Sequence, residues 1–260
     1  MRIGIIGKGA IGQFVFQTLK DRGIGPHVLL TRSNQMASAG FNDVAQVTSV
    51  ADLPEDITLM VDCAGHAGLA QHGAAILDRG INLVTVSLGA LADKDLADRL
   101  EKAAHVGGAR LHLASGAIGG LDSLRAARIG GLNEVTYIGR KPPLSWKGSP
   151  AEEALDLESL TIAMDHFSGT ARDAAIAYPK NANVAAAVAL AGIGFDATQV
   201  RLIADPLVGA NIHEIHASGA FGNLSFRVEG KALPNSSRSS ALAAMSAVSA
   251  IEREIESITI

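Results

Sequence analysis

Read as hydrophobic and polar positions, the chain opens on a short apolar run, Ile3-Gly4-Ile5-Ile6, which has no polar alternation and is too short for a helix. That is the pattern of a strand buried on both faces. Over residues 13–22 the period changes, and Phe14, Val15, Thr18 and Leu19 fall on one helical face. Further strands are predicted at 27–30, 59–63, 82–86 and 110–113, with helices at 69–79 and 93–105. Strands alternating with helices require right-handed crossovers, so this half of the chain predicts a doubly wound parallel sheet.

The pattern is different after residue 120. A helix at 121–129 leads into a strand at 134–141 and a loop at 144–150, where Trp146 sits among residues too polar for a core. A strand is expected at 160–167 and a helix at 170–177, closed by Pro179, which offers no N–H. Asn181 or Asn183 then stands where an N-cap belongs, before an alanine-rich helix that Gly192 and Gly194 stop. Segments 200–204, 212–218 and 223–228 read as a meander whose hairpin turns at 219–222, which makes a second, mixed or antiparallel sheet. The last helix, 240–256, keeps a helical period through Leu242, Met245, Val248, Ile251 and Ile255 and is expected to return to the first half. The domain expectation is 1–119 with 236–260 for the parallel-sheet domain and 120–235 for an α+β domain.

Composition narrows the class. Hydrophobic residues at 48% against 18% charged describe a chain with a sizeable core rather than disorder. A net charge of −4, with no block of Lys or Arg, argues against nucleic acid as a partner. The single cysteine, Cys63, excludes an internal disulfide and is expected to be buried and inert. No spacing of metal ligands is present, and the eight histidines are scattered. Gly4, Gly7, Gly9 and Gly12 interrupt any signal-peptide core, and the longest apolar run, 184–193, falls short of the roughly 20 residues of a membrane span. No membrane association and a cytoplasmic location are expected.

Candidate chemistry begins at Gly7-Lys8-Gly9-Ala10-Ile11-Gly12, which lies between the first strand and the first helix. In that context Gly7 permits the tight turn and Gly9 a close backbone approach to a pyrophosphate, while Gly12 allows close helix–strand packing. Phosphates would rest on the N–H groups at the start of the helix, Ala10 and Ile11 included. This marks the sheet as Rossmann-type and the cofactor as NAD or NADP. The acidic residue that ordinarily holds the adenosine ribose is missing. Thr31-Arg32-Ser33 stands at the second strand's end instead and offers a cation and hydroxyls to a 2′-phosphate. The other strand ends carry small residues, among them Ala64-Gly65-His66 and Ser115-Gly116-Ala117-Ile118-Gly119-Gly120, and leave room for a flat ring. In the second half, a strand register that puts His213, Ile215 and Ala217 on one face puts Glu214 and His216 on the other.

Several segments resemble one family, the L-aspartate dehydrogenases that initiate pyridine nucleotide synthesis. They are Ser87-Leu88-Gly89-Ala90-Leu91-Ala92-Asp93, the 115–122 segment, Arg140-Lys141-Pro142-Pro143, residues 178–186, Ala204-Asp205-Pro206 and Asn211-Ile212-His213-Glu214-Ile215. The resemblance implies NAD(P)-linked oxidative deamination of L-aspartate to iminoaspartate, which hydrolyses to oxaloacetate and ammonia. It also implies cofactor contacts at Ala117 and Asn183, catalysis by His213, and a homodimer formed by pairing of the second-domain sheets. One segment departs from the family: Asn-Pro-Lys-Thr-Ser is usual before the last helix, whereas residues 235–240 keep the charge and hydroxyls without the proline. For the substrate's two carboxylates, the residues themselves suggest the helix start at Asn181 together with a cation such as Lys180 or Arg140.

Two other classes stay open at this point. One is a related two-domain reductase of an imine or semialdehyde, for which Ser168-Gly169-Thr170-Ala171 is a faint signal. The other is a nucleotide-sensing protein that keeps the fold without catalysis. Reduction of the nicotinamide in the presence of L-aspartate separates all three.

Overall fold

The computed structural model describes residues 1–32, 41, 43–179, 181–234 and 236–259, the side chains of Ser237 and Arg238 excepted. The chain divides into two compact units, Met1–Ala114 with Ala243–Ile260, and Ser115–Leu242.

In the first unit, β1 (Ile3–Ile6), β2 (Val28–Leu30), β3 (Ala45–Val47), β4 (Leu59–Asp62), β5 (Asn82–Thr85) and β6 (Leu111–Leu113) form one sheet in the order β3-β2-β1-β4-β5-β6. Every pairing in it is parallel. The crossovers use α1 (Ala10–Asp21), α2 (His66–Asp78) and α3 (Lys94–Gly107). The central strands β1 and β4 are buried at every position, as uninterrupted apolar runs require. The edge strand β3 escaped the sequence reading because its Ala-Gln-Val is half-exposed and carries no periodic signal. Asp93 starts α3 by accepting from the Leu96 N–H, and Gly108 ends it in the left-handed region at φ 64°. Ala247, Val248, Ala250 and Ile251 of the last helix, α8 (Ala241–Ile255), pack in the same core as Ile3, Ile5 and Leu19.

The second unit carries a five-stranded mixed sheet. Its strands are β7 (Leu132–Lys141), β8 (Met164–Thr170), β9 (Gln199–Ala204), β10 (Asn211–Gly219) and β11 (Gly222–Gly230), in the order β11-β10-β7-β9-β8. This corrects the expected meander. β10 and β11 do form a hairpin, but β9 lies on the far side of β7, to which it is parallel. The ten-residue β7 is long enough to bond a neighbour along each edge, so it sits between segments that follow one another in sequence. The strand expected at 160–167 is displaced to Met164–Thr170, because Ile162 and Ala163 before it are exposed and pair with no strand among the described residues. The helices are α4 (Leu121–Gly130), α5 (Ala151–Ala154), α6 (Ala171–Ala177) and α7 (Asn183–Ala191), and α6 begins with a capping box between Thr170 and Asp173. A short ribbon pairs β12 (Ala232–Leu233) with β13 (Ser236–Ser240). Among the described residues no helix is long and apolar enough to cross a membrane.

Candidate functional site

The first unit offers a cleft of ≈ 530 Å³ beyond the carboxyl ends of β1, β2 and β4, lined in part by Gly7, Gly9, Arg32, Ala64 and His72. Gly7 turns at φ 85°, in the region that disfavours side chains, and its N–H donates to Leu30 O at 3.0 Å. A Cβ on Gly12 would come 2.4 Å from Gly7 O, so the glycine is what lets α1 press against the loop. Gly9 faces open space, with nothing within 4 Å of where its Cβ would lie. It is the N-cap of α1, whose first turn holds Ala10 and Ile11 and no acidic residue. Free N–H groups, the positive end of the helix dipole and room above them suit a pyrophosphate. Arg32 is exposed at the rim and Thr31 is buried, while Ser33 lies outside the described residues.

Beneath the cleft, Asp62 is fully buried at the end of β4. It accepts from Ser87 Oγ at 2.7 Å, Thr85 Oγ1 at 2.8 Å and the Ala64 N–H at 2.9 Å, and burial raises its pKa against the opposing effect of those bonds. The three bonds tie the turns after β4 and β5 to one carboxyl group, and so hold Ala64 in place. Cys63 is partly buried, and burial together with the Asp62 charge pushes its thiol up, which keeps it protonated and unreactive.

In the second unit the alternation of β7 puts Tyr137, Gly139 and Lys141 on one face, and the antiparallel register sets Gly139 opposite His213. Tyr137 Oη and His213 Nδ1 are 2.7 Å apart, both side chains buried. A Cβ on Gly139 would come 2.7 Å from Tyr137 Oη, so the absence of a side chain there leaves the phenol its path to the imidazole. This bond engages Nδ1: as acceptor from the phenol it leaves a proton on Nε2, and as donor to the phenol it leaves a lone pair there. Burial, reinforced by the charge of Lys141, holds the imidazole down to about 3, so it is neutral at physiological pH. His216, on the other face of β10, is exposed.

The other predicted residues fall in different settings. Arg140 is ion-paired to Asp205 at 2.7 Å, and Asn181 Oδ1 accepts from Lys141 Nζ at 2.8 Å. Asn183 is the first residue of α7 rather than its cap; Ala182 takes the cap position without a side-chain bond, so neither asparagine caps the helix. Ala117 is buried, and Lys180 lies outside the described residues. Gly119 and Gly120 make room for Phe226: a Cβ on Gly119 would meet its ring at 2.7 Å.

The sequence reading missed four side chains that meet here. Trp146, expected in a polar loop, is 1% exposed, and its indole N–H donates to Ile203 O at 3.2 Å. Lys141 Nζ lies 4.6 Å from the centre of its ring, and His166 packs edge-on at 4.3 Å. His166, read as structural or surface, has Nδ1 3.1 Å from Tyr178 Oη, a buried Nε2, and a pKa lowered to about 4 by burial and by Lys141. Only a strand order that sets β8 beside β9 assembles this cluster. The one local signal was the Arg-Lys-Pro-Pro run, in which Lys141 rather than Arg140 faces inward.

Comparison with known proteins covers the whole chain. Residues 122–254 match the family model described as aspartate dehydrogenase, C-terminal, and residues 7–114 match homoserine dehydrogenase, NAD binding domain. The L-aspartate dehydrogenase of Ruegeria pomeroyi is 51% identical over 97% of this chain and 92% of its own length. That of Pseudomonas aeruginosa is 44% identical over the full length of both. The crystal structure of aspartate dehydrogenase from Thermotoga maritima superposes with a TM-score of 0.79 at 27% identity, covering 100% of this chain and 99% of that one.

Proposed function

The chain belongs to the L-aspartate dehydrogenase family, and from that premise we propose how its residues divide the work of oxidising L-aspartate. The reaction removes a hydride from Cα and a proton from the ammonium to give iminoaspartate, which water converts to oxaloacetate and ammonia. The enzyme is NAD(P)-dependent, and the bound nicotinamide dinucleotide supplies the hydride acceptor. The product enters pyridine nucleotide synthesis.

The observation that carries this reading is a neutral, buried imidazole at His213 in the same cluster as the buried ammonium of Lys141. An amino acid loses hydride only from its neutral amine, and the imine then needs a deprotonated water. His213 is the proton acceptor that both events require, in the tautomer whose Nδ1–H donates to Tyr137 Oη and leaves the lone pair on Nε2. Gly7, Gly9, Ala10, Ile11 and Gly12 hold the pyrophosphate, Ala64 lines the same cleft, and Arg32 faces the 2′ position, so NADP serves at least as well as NAD. In this reading Ala117 and Asn183 contact the cofactor, and Asn181 with Arg140 or Lys180 contacts the substrate. The reading extends to a cytoplasmic homodimer paired through the five-stranded sheet. Sedimentation as a monomer at micromolar concentration would remove the dimer from it.

The deciding assay is absorbance of the reduced nicotinamide on mixing enzyme, NAD or NADP, and L-aspartate. A rise that depends on aspartate is expected. Turnover confined to an imine or semialdehyde, or cofactor binding without turnover, overturns the reading.

A further inference from the structure

We propose that Lys141 is the counter-ion of a substrate carboxylate, held for that purpose by Asn181 and the Trp146 ring. The inference rests on L-aspartate being the substrate. Lys141 is 8% exposed, and among the described residues no carboxylate pairs with it. The adjacent cation, Arg140, is neutralised by Asp205. A buried ammonium with no counter-charge is costly, by several kcal/mol. What surrounds this one is suited to aiming a cation rather than cancelling its charge. The Asn181 amide oxygen takes one N–H at 2.8 Å, and the indole face lies 4.6 Å away. An arriving carboxylate would supply the missing negative charge.

A second observation is independent of the lysine. On the same indole, His166 has Nδ1 against Tyr178 Oη, while Nε2 is buried with no hydrogen-bond partner among the described residues. When the phenol donates to Nδ1, Nε2 carries the proton and is a spare donor beside a spare cation. Buried polar groups are rarely left unpaired, and a ligand oxygen would satisfy this one.

The position also suits the chemistry. Lys141 lies two residues along β7 from Gly139, the residue opposite His213, so lysine and histidine are diagonal neighbours on adjacent strands, with Cα atoms about 7–8 Å apart. The charge of Lys141 is part of what keeps His213 from protonating. A carboxylate on Lys141 offsets that charge, and the proton affinity of the imidazole rises once substrate is in place. Binding and proton acceptance are thereby ordered.

Trp146 is the only tryptophan in the chain, so intrinsic tryptophan fluorescence reports on this site. The full-length enzyme is titrated with succinate, a dicarboxylate that has no amine to oxidise, and with succinamide, its neutral counterpart. A saturable change with succinate and none with succinamide is expected. Lys141→Met should abolish the succinate response and raise KM for L-aspartate by about 30-fold or more, with cofactor affinity and the far-UV circular dichroism unchanged. Lys141→Arg should restore part of the binding. Equal succinate affinity in wild type and Lys141→Met overturns the proposal. If Lys141→Met does not fold, the wild-type pair decides: an equal response to both probes, or to neither, overturns it. Succinate binding that depends on Lys141 in an enzyme inert toward aspartate would leave the anion site standing and sink the dehydrogenase reading instead. Aspartate turnover unaffected by Lys141→Met does the reverse.

Discussion

In the first unit the candidate ligand site is made of backbone: three glycines, the open end of α1, and turns pinned from below by Asp62. In the second it is made of side chains, with Tyr137 and Lys141 from β7, His213 from β10, His166 from β8, Trp146 from a turn and Asn181 from the approach to α7. A backbone site recognises what every nicotinamide dinucleotide has in common, its phosphates. A side-chain site sets charge and proton affinity, and so specifies one substrate and one reaction. Substitutions in the first unit should therefore change cofactor affinity with little effect on the chemical step. In the second unit, substitutions within the Tyr137, Lys141, His166 and His213 cluster should change turnover or substrate affinity and spare the cofactor.

The sharpest test of that division is His213. His213→Ala should bind NAD and NADP normally, yet turn over L-aspartate about 10²–10⁴-fold more slowly, the usual worth of one proton-transfer residue. His213→Asn should be nearly as slow, while His216→Ala, on the exposed face of the same strand, keeps most of its activity. Loss of activity in His216→Ala with His213→Ala spared would break the assignment.

Arg32 is the counterpart in the first unit. Arg32→Asp should weaken NADP binding by about 1.5–3 kcal/mol, the worth of charge-assisted hydrogen bonds. NAD affinity should change less, and kcat at saturating NAD should stay as it was. Fluorescence titration with each cofactor measures this, and an unchanged NADP-to-NAD preference would count against the role of Arg32.

A smaller effect is expected at Tyr137. Tyr137→Phe removes a hydrogen bond worth about 0.5–1.5 kcal/mol, so kcat should fall roughly 3- to 10-fold. The acidic limb of its pH–rate profile should move as well, with KM for cofactor unchanged. Gly139→Ala should act in the same direction, because its Cβ would displace the phenol. An unaltered pH profile in both variants would reduce Tyr137 to a packing residue.

The smallest effect is on stability in acid. The imidazoles of His213 and His166 are held near 3 and 4, below their ordinary 6.5. As pH falls through 6.5 the unfolded chain takes up protons that the folded chain refuses, so the stability present above that pH is lost progressively, down to about pH 4 for His166 and about pH 3 for His213. Thermal unfolding at pH 7.5 and 5 should show the loss, and His166→Gln should reduce it by a few degrees. An identical acid shift in the variant would show that His166 is not buried as a neutral ring.

The parallel-sheet unit was legible because its information is local. An apolar run followed at once by Gly7-x-Gly9-x-x-Gly12 and a helical period specifies strand, turn and helix within about twenty residues, and the same logic repeats along the chain. The buried face of His213 was legible too, since the alternation of β10 fixes it, whereas a catalytic role for His213 was only what the family resemblance implied. The rest depends on sheet order. Nothing local places β7 between β9 and β10, and without that order Lys141 reads as the second half of a basic pair, Trp146 as a loop residue and His166 as one histidine among eight. A two-residue period says which residues share a face of one strand, but not which strand lies alongside. That is decided by burial of the whole sheet, and it is this step that brings a lysine, an indole and two imidazoles into one buried cluster.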